Sequence, residues 1–109
     1  MLTGSISAVS QKRQKRSAED MAKQQTDWMK QELKLSKEQE KEIYRINLET
    51  SKRVKETWSK YKGNREMMQS EMKKNRIQKD KELKKALSEE QFKLYKKRIK
   101  EMRDSRTPK

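Results

Sequence analysis

Residues 35–64 read LSKEQEKEIYRINLETSKRVKETWSKYKGN, a stretch that carries a start signal, an apolar stripe and a stop signal for one long helix. Ser36 and Gln39 have the S-x-x-E/Q spacing of a capping box. In that motif the serine hydroxyl accepts from the amide three residues on, while the glutamine side chain reaches back to the serine amide. At about 100° per residue, Ile43, Ile46, Thr50, Val54, Trp58 and Tyr61 fall within one narrow arc, the signature of an amphipathic helix. Gly63-Asn64 then supplies a C-cap and turn. The spacing predicts a helix over 36–62, roughly 40 Å long at about 1.5 Å per residue.

Upstream, Ser17 is an N-cap candidate followed by Glu19 and Asp20, and Met21, Trp28, Met29 and Leu33 continue a first helix over about 17–33. Downstream, a third helix over about 65–86 has a poor stripe. Met68, Met72, Leu83 and Ala86 share one face, but Arg76 and Lys79 interrupt it. The punctuation then recurs. Leu87-Ser88-Glu89-Glu90-Gln91 repeats Leu35-Ser36-Lys37-Glu38-Gln39 at a separation of 52 residues, with Leu87 and Phe92 at the N′ and N4 positions of a hydrophobic staple. A fourth helix follows over about 88–103, with Phe92, Tyr95, Ile99 and Met102 spaced 3-4-3. Glycine occurs only at positions 4 and 63 and the sole proline is Pro108, so nothing else interrupts long helices. The expectation is an all-α protein of four helices, with 36–62 and 65–86 forming a long antiparallel hairpin and the shorter terminal helices packed along it. A single domain is expected over 17–105, with fraying from Asp104 and a disordered tail over 106–109.

Composition excludes much chemistry. Lys and Arg number 31 against 17 Asp and Glu, giving a formal charge of +14, and the chain has no His and no Cys. Imidazole catalysis, thiolate nucleophiles, disulfides and the usual zinc or iron–sulfur sites are thereby removed. Carboxylate pairs such as Glu38/Glu42 lie on a solvated helix face, where nothing raises one pKa for acid–base work. No Gly-rich phosphate loop or nucleophile elbow occurs. The sequence therefore predicts a non-enzymatic protein with no cofactor and no metal. Hydrophobic residues make up 28% of the chain against a globular norm of roughly 45–50%, which suits a thin core.

Residues 1–16 change character abruptly, from the uncharged MLTGSISAVS to the basic QKRQKR. Ala8 and Ser10 stand as in an A-x-A-like cleavage site before Gln11. The segment reads either as the end of a cleaved export signal, placing the protein in the periplasm, or as a flexible basic tail of a cytoplasmic one. No stretch of the sequence approaches the roughly 18–20 apolar residues of a transmembrane helix.

The two L-S-x-E-Q segments, in a small, cysteine-poor helical chain, resemble the Spy/CpxP-like or LTxxQ-motif periplasmic proteins and their Bacteroidetes relatives, with Ser in place of the commoner Thr. The resemblance covers about residues 17–105. It implies a cradle-like antiparallel homodimer and, for its best-known members, ATP-independent chaperoning of non-native proteins on a basic, partly apolar surface. Other members serve envelope-stress signalling. Metal-binding relatives use His or Cys, so metal sensing does not transfer to this chain.

The charge itself points to an anionic partner. Pairs such as Glu49/Arg53, Glu56/Lys60, Asp80/Lys84 and Glu89/Lys93 have favourable i,i+4 spacing worth about 0.2–0.5 kcal/mol each, which supports the helices without neutralising the surplus. Dispersed lysines interleaved with seven Met suit adaptable client binding. The expected client surface comprises Arg53, Lys60, Lys73 and Arg76 as charges and Met67, Met68 and Met72 as apolar contacts. Leu35, Ser36, Gln39, Leu87, Ser88 and Gln91 serve as motif and cap residues. Tyr44, Leu48 and Ile77 lie off the stripes and point to a homodimer. The alternatives are nucleic-acid binding through phosphate contacts and a regulatory subunit docking on a stress sensor.

Overall fold

The computed structural model describes residues 17–106, which form four helices and no strand: α1 (Ala18–Leu33), α2 (Lys37–Lys60), α3 (Arg65–Ala86) and α4 (Glu89–Arg106). The expectations for residues 1–16 and for the last three residues lie outside the described residues. All four helices begin within about a residue of their predicted starts. The last runs to Arg106, three residues past the predicted end at Arg103. Nothing in Asp104-Ser105-Arg106 forbids helix, since none of the three is Gly or Pro.

Capping follows the sequence closely. Ser17 Oγ accepts from the Asp20 amide at 3.0 Å, and Asn64 Oδ1 accepts from the Met67 amide at 3.1 Å. Gly63 carries the turn between α2 and α3 with φ +88°, a conformation that strains any residue with a Cβ. At the end of α1 the left-handed C-cap falls instead on Lys34 (φ 53°), whose amide bonds the Lys30 carbonyl at 3.0 Å. That position normally favours glycine.

Helix α2 is central. It packs on α1 on one side and α3 on the other, while α4 closes across α1 and α3. The core gathers at the end of the molecule where the two motif segments meet: Met29, Leu33, Leu35, Ile43, Ile46, Leu83, Leu87 and Tyr95, with Trp28, Phe92 and Ile99 packed against it. Both motif leucines are buried there, and Phe92 packs against the same cluster. Phe92 and Tyr95 stack with ring centroids 6.3 Å apart.

Toward the Gly63 tip the packing turns polar. Asn47, fully buried, donates to Thr26 Oγ1 at 3.0 Å, tying α2 to α1, and Asn75 donates to Thr57 Oγ1 at 3.2 Å, tying α3 to α2. The stripe on α2 needs one correction: Trp58 is 58% exposed. It lies on the same side of α2 as Asn47 and Ser51, the side α1 covers. However, α1 has 16 residues against 24 in α2, about 24 Å against about 36 Å, and ends short of the last turns.

Candidate functional site

The repeated motif builds the most ordered polar feature of the molecule. Each copy forms its own capping box: Ser36 Oγ accepts from Gln39 N at 3.1 Å while Gln39 Oε1 accepts from Ser36 N at 3.0 Å. The corresponding distances for Ser88 and Gln91 are 3.1 and 2.9 Å. The two glutamines then face each other. Gln39 Nε2 donates to Gln91 Oε1 at 2.7 Å and Gln91 Nε2 returns a bond to Gln39 Oε1 at 3.2 Å. Each amide also caps the helix preceding the other copy. Gln91 Nε2 donates to the Leu33 carbonyl at the end of α1 (3.1 Å), and Gln39 Nε2 to the Ala86 carbonyl at the end of α3 (3.2 Å). Four helix ends therefore meet in one half-buried knot with approximate two-fold symmetry. The knot has no exposed catalytic group; its consequence is to fix the angle between the α1–α2 and α3–α4 units.

Positive charge is unevenly spread. Helix α1 carries two Lys against four acidic residues, whereas α3 carries eight Lys and Arg against four acidic residues and α4 seven against four. On the outer face of α3, Lys73, Lys74, Ile77, Lys81 and Lys84 recur at spacings of three and four, all exposed, with Ile77 at 54%. Lys74 pairs with Glu71 at 3.2 Å; Lys73, Lys81 and Lys84 have no ion pair with any acid among the described residues. Two acids expected to pair along their own helices are engaged elsewhere. Asp80 binds Lys96 of α4 at 2.6 Å, not Lys84, and Glu49 binds Arg45 at 3.0 Å, not Arg53. Arg45 also chelates Glu42 at 2.6 Å, and that hydrogen bond holds the Glu42 carboxyl below the usual range. Arg98 links α4 to α1 through Glu32 at 3.0 Å.

The expected client residues divide into three places. Lys73 and Arg76 are exposed on α3, and Met67 is 39% exposed near the tip. Met68 and Met72 are half-buried on the face of α3 that also carries Asn75 and Leu83. Arg53 and Lys60 meet in a polar recess of about 190 Å³ at the tip, shared with Glu56, Glu71 and Asn75. There Arg53 is half-buried, donates to Thr50 Oγ1 at 3.3 Å, and keeps its Nε buried without a partner. Lys60 lies 5.5 Å from the Tyr61 ring centroid. The seven residues thus do not converge on one patch. Of the off-stripe residues, Tyr44 and Leu48 are half-buried and Ile77 is exposed.

One feature was missed from the sequence, a half-open cavity of about 300 Å³ between α1, α3 and α4 with Lys79 in its wall. The signal for it was the lysine interrupting the apolar face of α3. Among the described residues no cluster of acidic side chains is arranged to hold a metal ion, and no helix is long and apolar enough to cross a membrane.

A family model, DUF4890, described as a domain of unknown function, matches residues 8–95. The chain belongs to the DUF4890 family. The match takes in both capping boxes, so the glutamine knot lies wholly within the DUF4890 segment, whereas the last turns of α4 lie beyond it. No curated protein and no solved structure matches the chain.

Proposed function

We propose that this DUF4890 protein is an ATP-independent, holdase-type chaperone of the periplasm, related to the Spy/CpxP-like proteins, and that it acts as a homodimer without a catalytic step. The observation that carries the reading is the placement of exposed apolar side chains among unneutralised lysines. Ile77 lies within the lysine face of α3, and Met67 and Trp58 stand exposed near the hairpin tip. Long-range attraction to acidic segments of a non-native protein would speed capture. Short-range contact with Ile77, Met67 and Trp58 would hold the client weakly enough for release, since each offers an isolated apolar group, not a pocket. The paired L-S-x-E-Q segments support the family relation. The dimer reading rests on Tyr44 and Leu48, apolar side chains off the α2 stripe that the single chain covers only in part.

The lysine face alone would also suit nucleic-acid phosphates, and the test separates the two. Aggregation of a chemically denatured client is followed without ATP, at low and moderate salt and with competing RNA. Suppression near one dimer per client that survives both conditions is expected. Charge reversal at Lys73 and Arg76 should weaken capture with helicity intact, and Lys60 should contribute from the tip. Arg53 is better probed by Arg53→Lys, because reversing a half-buried charge risks the hairpin. No suppression at excess protein, together with tight, salt-sensitive RNA binding, would overturn the chaperone reading in favour of the nucleic-acid one. A clean monomer mass by light scattering at micromolar concentration would overturn the dimer.

A further inference from the structure

The cavity between α1, α3 and α4 has a chemistry that neither the core nor the lysine face explains. Its walls are mostly apolar, with Trp28 and Met29 from α1 and Tyr95, Ile99 and Met102 from α4, and the amides of Gln24 and Gln25 complete the α1 side. One cation enters it. Lys79 stands on the inward face of α3, in line with Met72 and Leu83, and is half-buried. Its ammonium donates to Gln25 Oε1 at 2.9 Å, a neutral acceptor. No acidic residue lines the cavity, and the neighbouring Asp80 is bound to Lys96 at 2.6 Å. Burial pushes the Lys79 pKa down to about 8 against the weaker opposing pull of Asp80, so the charge is held with incomplete compensation. A half-buried ammonium whose protein acceptor is a neutral amide oxygen gains from an anion, and the mostly apolar walls beside it restrict which anion fits.

We infer that this cavity is a binding site for a small monocarboxylate with an unbranched apolar tail, the carboxylate on Lys79 and the tail against Trp28, Met29, Ile99 and Met102. A volume of about 300 Å³ lies at the lower end of the range for small-molecule sites. At roughly 30 Å³ per non-hydrogen atom it holds about ten, the size of an eight-carbon acid. The tail is unbranched and apolar because most of the lining away from Lys79 and the two glutamines is hydrocarbon, sulfur and aromatic ring. The lysine face of α3 is a different surface, so the inference stands apart from the chaperone reading.

The experiment is an NMR titration of the full chain with octanoate and, separately, with 1-octanol, at pH 7 and about 150 mM salt to screen diffuse ion pairing. Octanoate should produce saturable shifts at the Trp28 indole and at the Met29, Ile99 and Met102 methyls, with a Kd on the order of 0.1–1 mM for a ligand of this size. Octanol should bind at least about tenfold more weakly, the loss expected for removing one charge-assisted contact. Lys79→Met should abolish that preference, leaving the two probes within about twofold of each other. Circular dichroism checks that the variant is folded; should it not be, the octanoate-to-octanol ratio on the natural chain decides alone. Shifts that never saturate, shifts confined to the α3 lysine face, or equal binding of the two probes by the natural chain would overturn the inference.

Discussion

Gln91→Glu tests whether the glutamine knot, and not two independent capping boxes, holds the helix ends together. In an isolated capping box Glu and Gln serve equally at this position, because only an acceptor for the N-cap amide is required. Here Gln91 also donates, to the Leu33 carbonyl at 3.1 Å and to Gln39 Oε1 at 3.2 Å. The substitution keeps the acceptor for Ser88 N and for Gln39 Nε2 but replaces those two donations with an oxygen facing two acceptors. Two lost hydrogen bonds at about 1 kcal/mol each, plus partial burial of a charge, come to about 2–3 kcal/mol. A carboxylate in the first turn of α4 returns about 0.3–1 kcal/mol through the helix dipole. The net loss is about 1–2.7 kcal/mol, equivalent to roughly 4–22 °C in Tm for a domain of this size. Urea unfolding followed by circular dichroism should show a lower midpoint with an unchanged slope. The new carboxyl would have its folded pKa raised, so the deficit is full at neutral pH and shrinks as pH falls through that value and the protonated oxygen regains a donor. A variant as stable as the natural protein, or more so, would show that the knot contributes nothing beyond local caps. A double-mutant cycle with Gln39→Ala and Gln91→Ala should give a coupling of at least about 1 kcal/mol.

Asn47→Asp should destabilise by about 3 kcal/mol at neutral pH, because the fully buried amide is the donor to Thr26 and a buried carboxylate has no counter-ion there; chemical denaturation measures it. Lys34→Gly should stabilise by about 0.5–1 kcal/mol by relieving the left-handed C-cap, seen as a higher Tm. Leu83→Ala should cost about 2–5 kcal/mol since Leu83 is fully buried where α3 joins the core, whereas Trp58→Ala should stay within about 0.5 kcal/mol in the same assay. Lys79→Met should exceed the natural protein in stability below about pH 8, and the gap should close as pH rises toward 10.5, where the depressed Lys79 has lost its proton in the folded chain and then in the unfolded one. Paired urea titrations across that range check it; Tyr95, whose pKa burial raises, stays neutral throughout.

What the sequence determined is local. Ser17, Ser36, Asn64 and Ser88 each act on an amide three residues away, and Gly63 needs no partner to turn the chain. The starts of all four helices were therefore legible from short windows. So was the core end of the α2 stripe, because Ile43 and Ile46 recur at helical spacing. Tertiary structure decided everything that depends on where one helix ends beside another. The sequence showed two capping boxes, but only docking could place Gln39 against Gln91 and aim each amide at the other unit's helix end. Trp58 fits the buried arc and is exposed because α1 is about 12 Å shorter than α2, a mismatch periodicity cannot register. Lys79 looked like a defect in a poor stripe; the convergence of α1 and α4 on that face makes it the one charge in a mostly apolar cavity. Asp80 spans to Lys96 across a helix gap instead of along its own helix, and this choice leaves the outer face of α3 positive. Hydrogen bonds within one turn are written into residue spacing, whereas partners 50 residues apart are selected by the relative lengths and angles of whole helices.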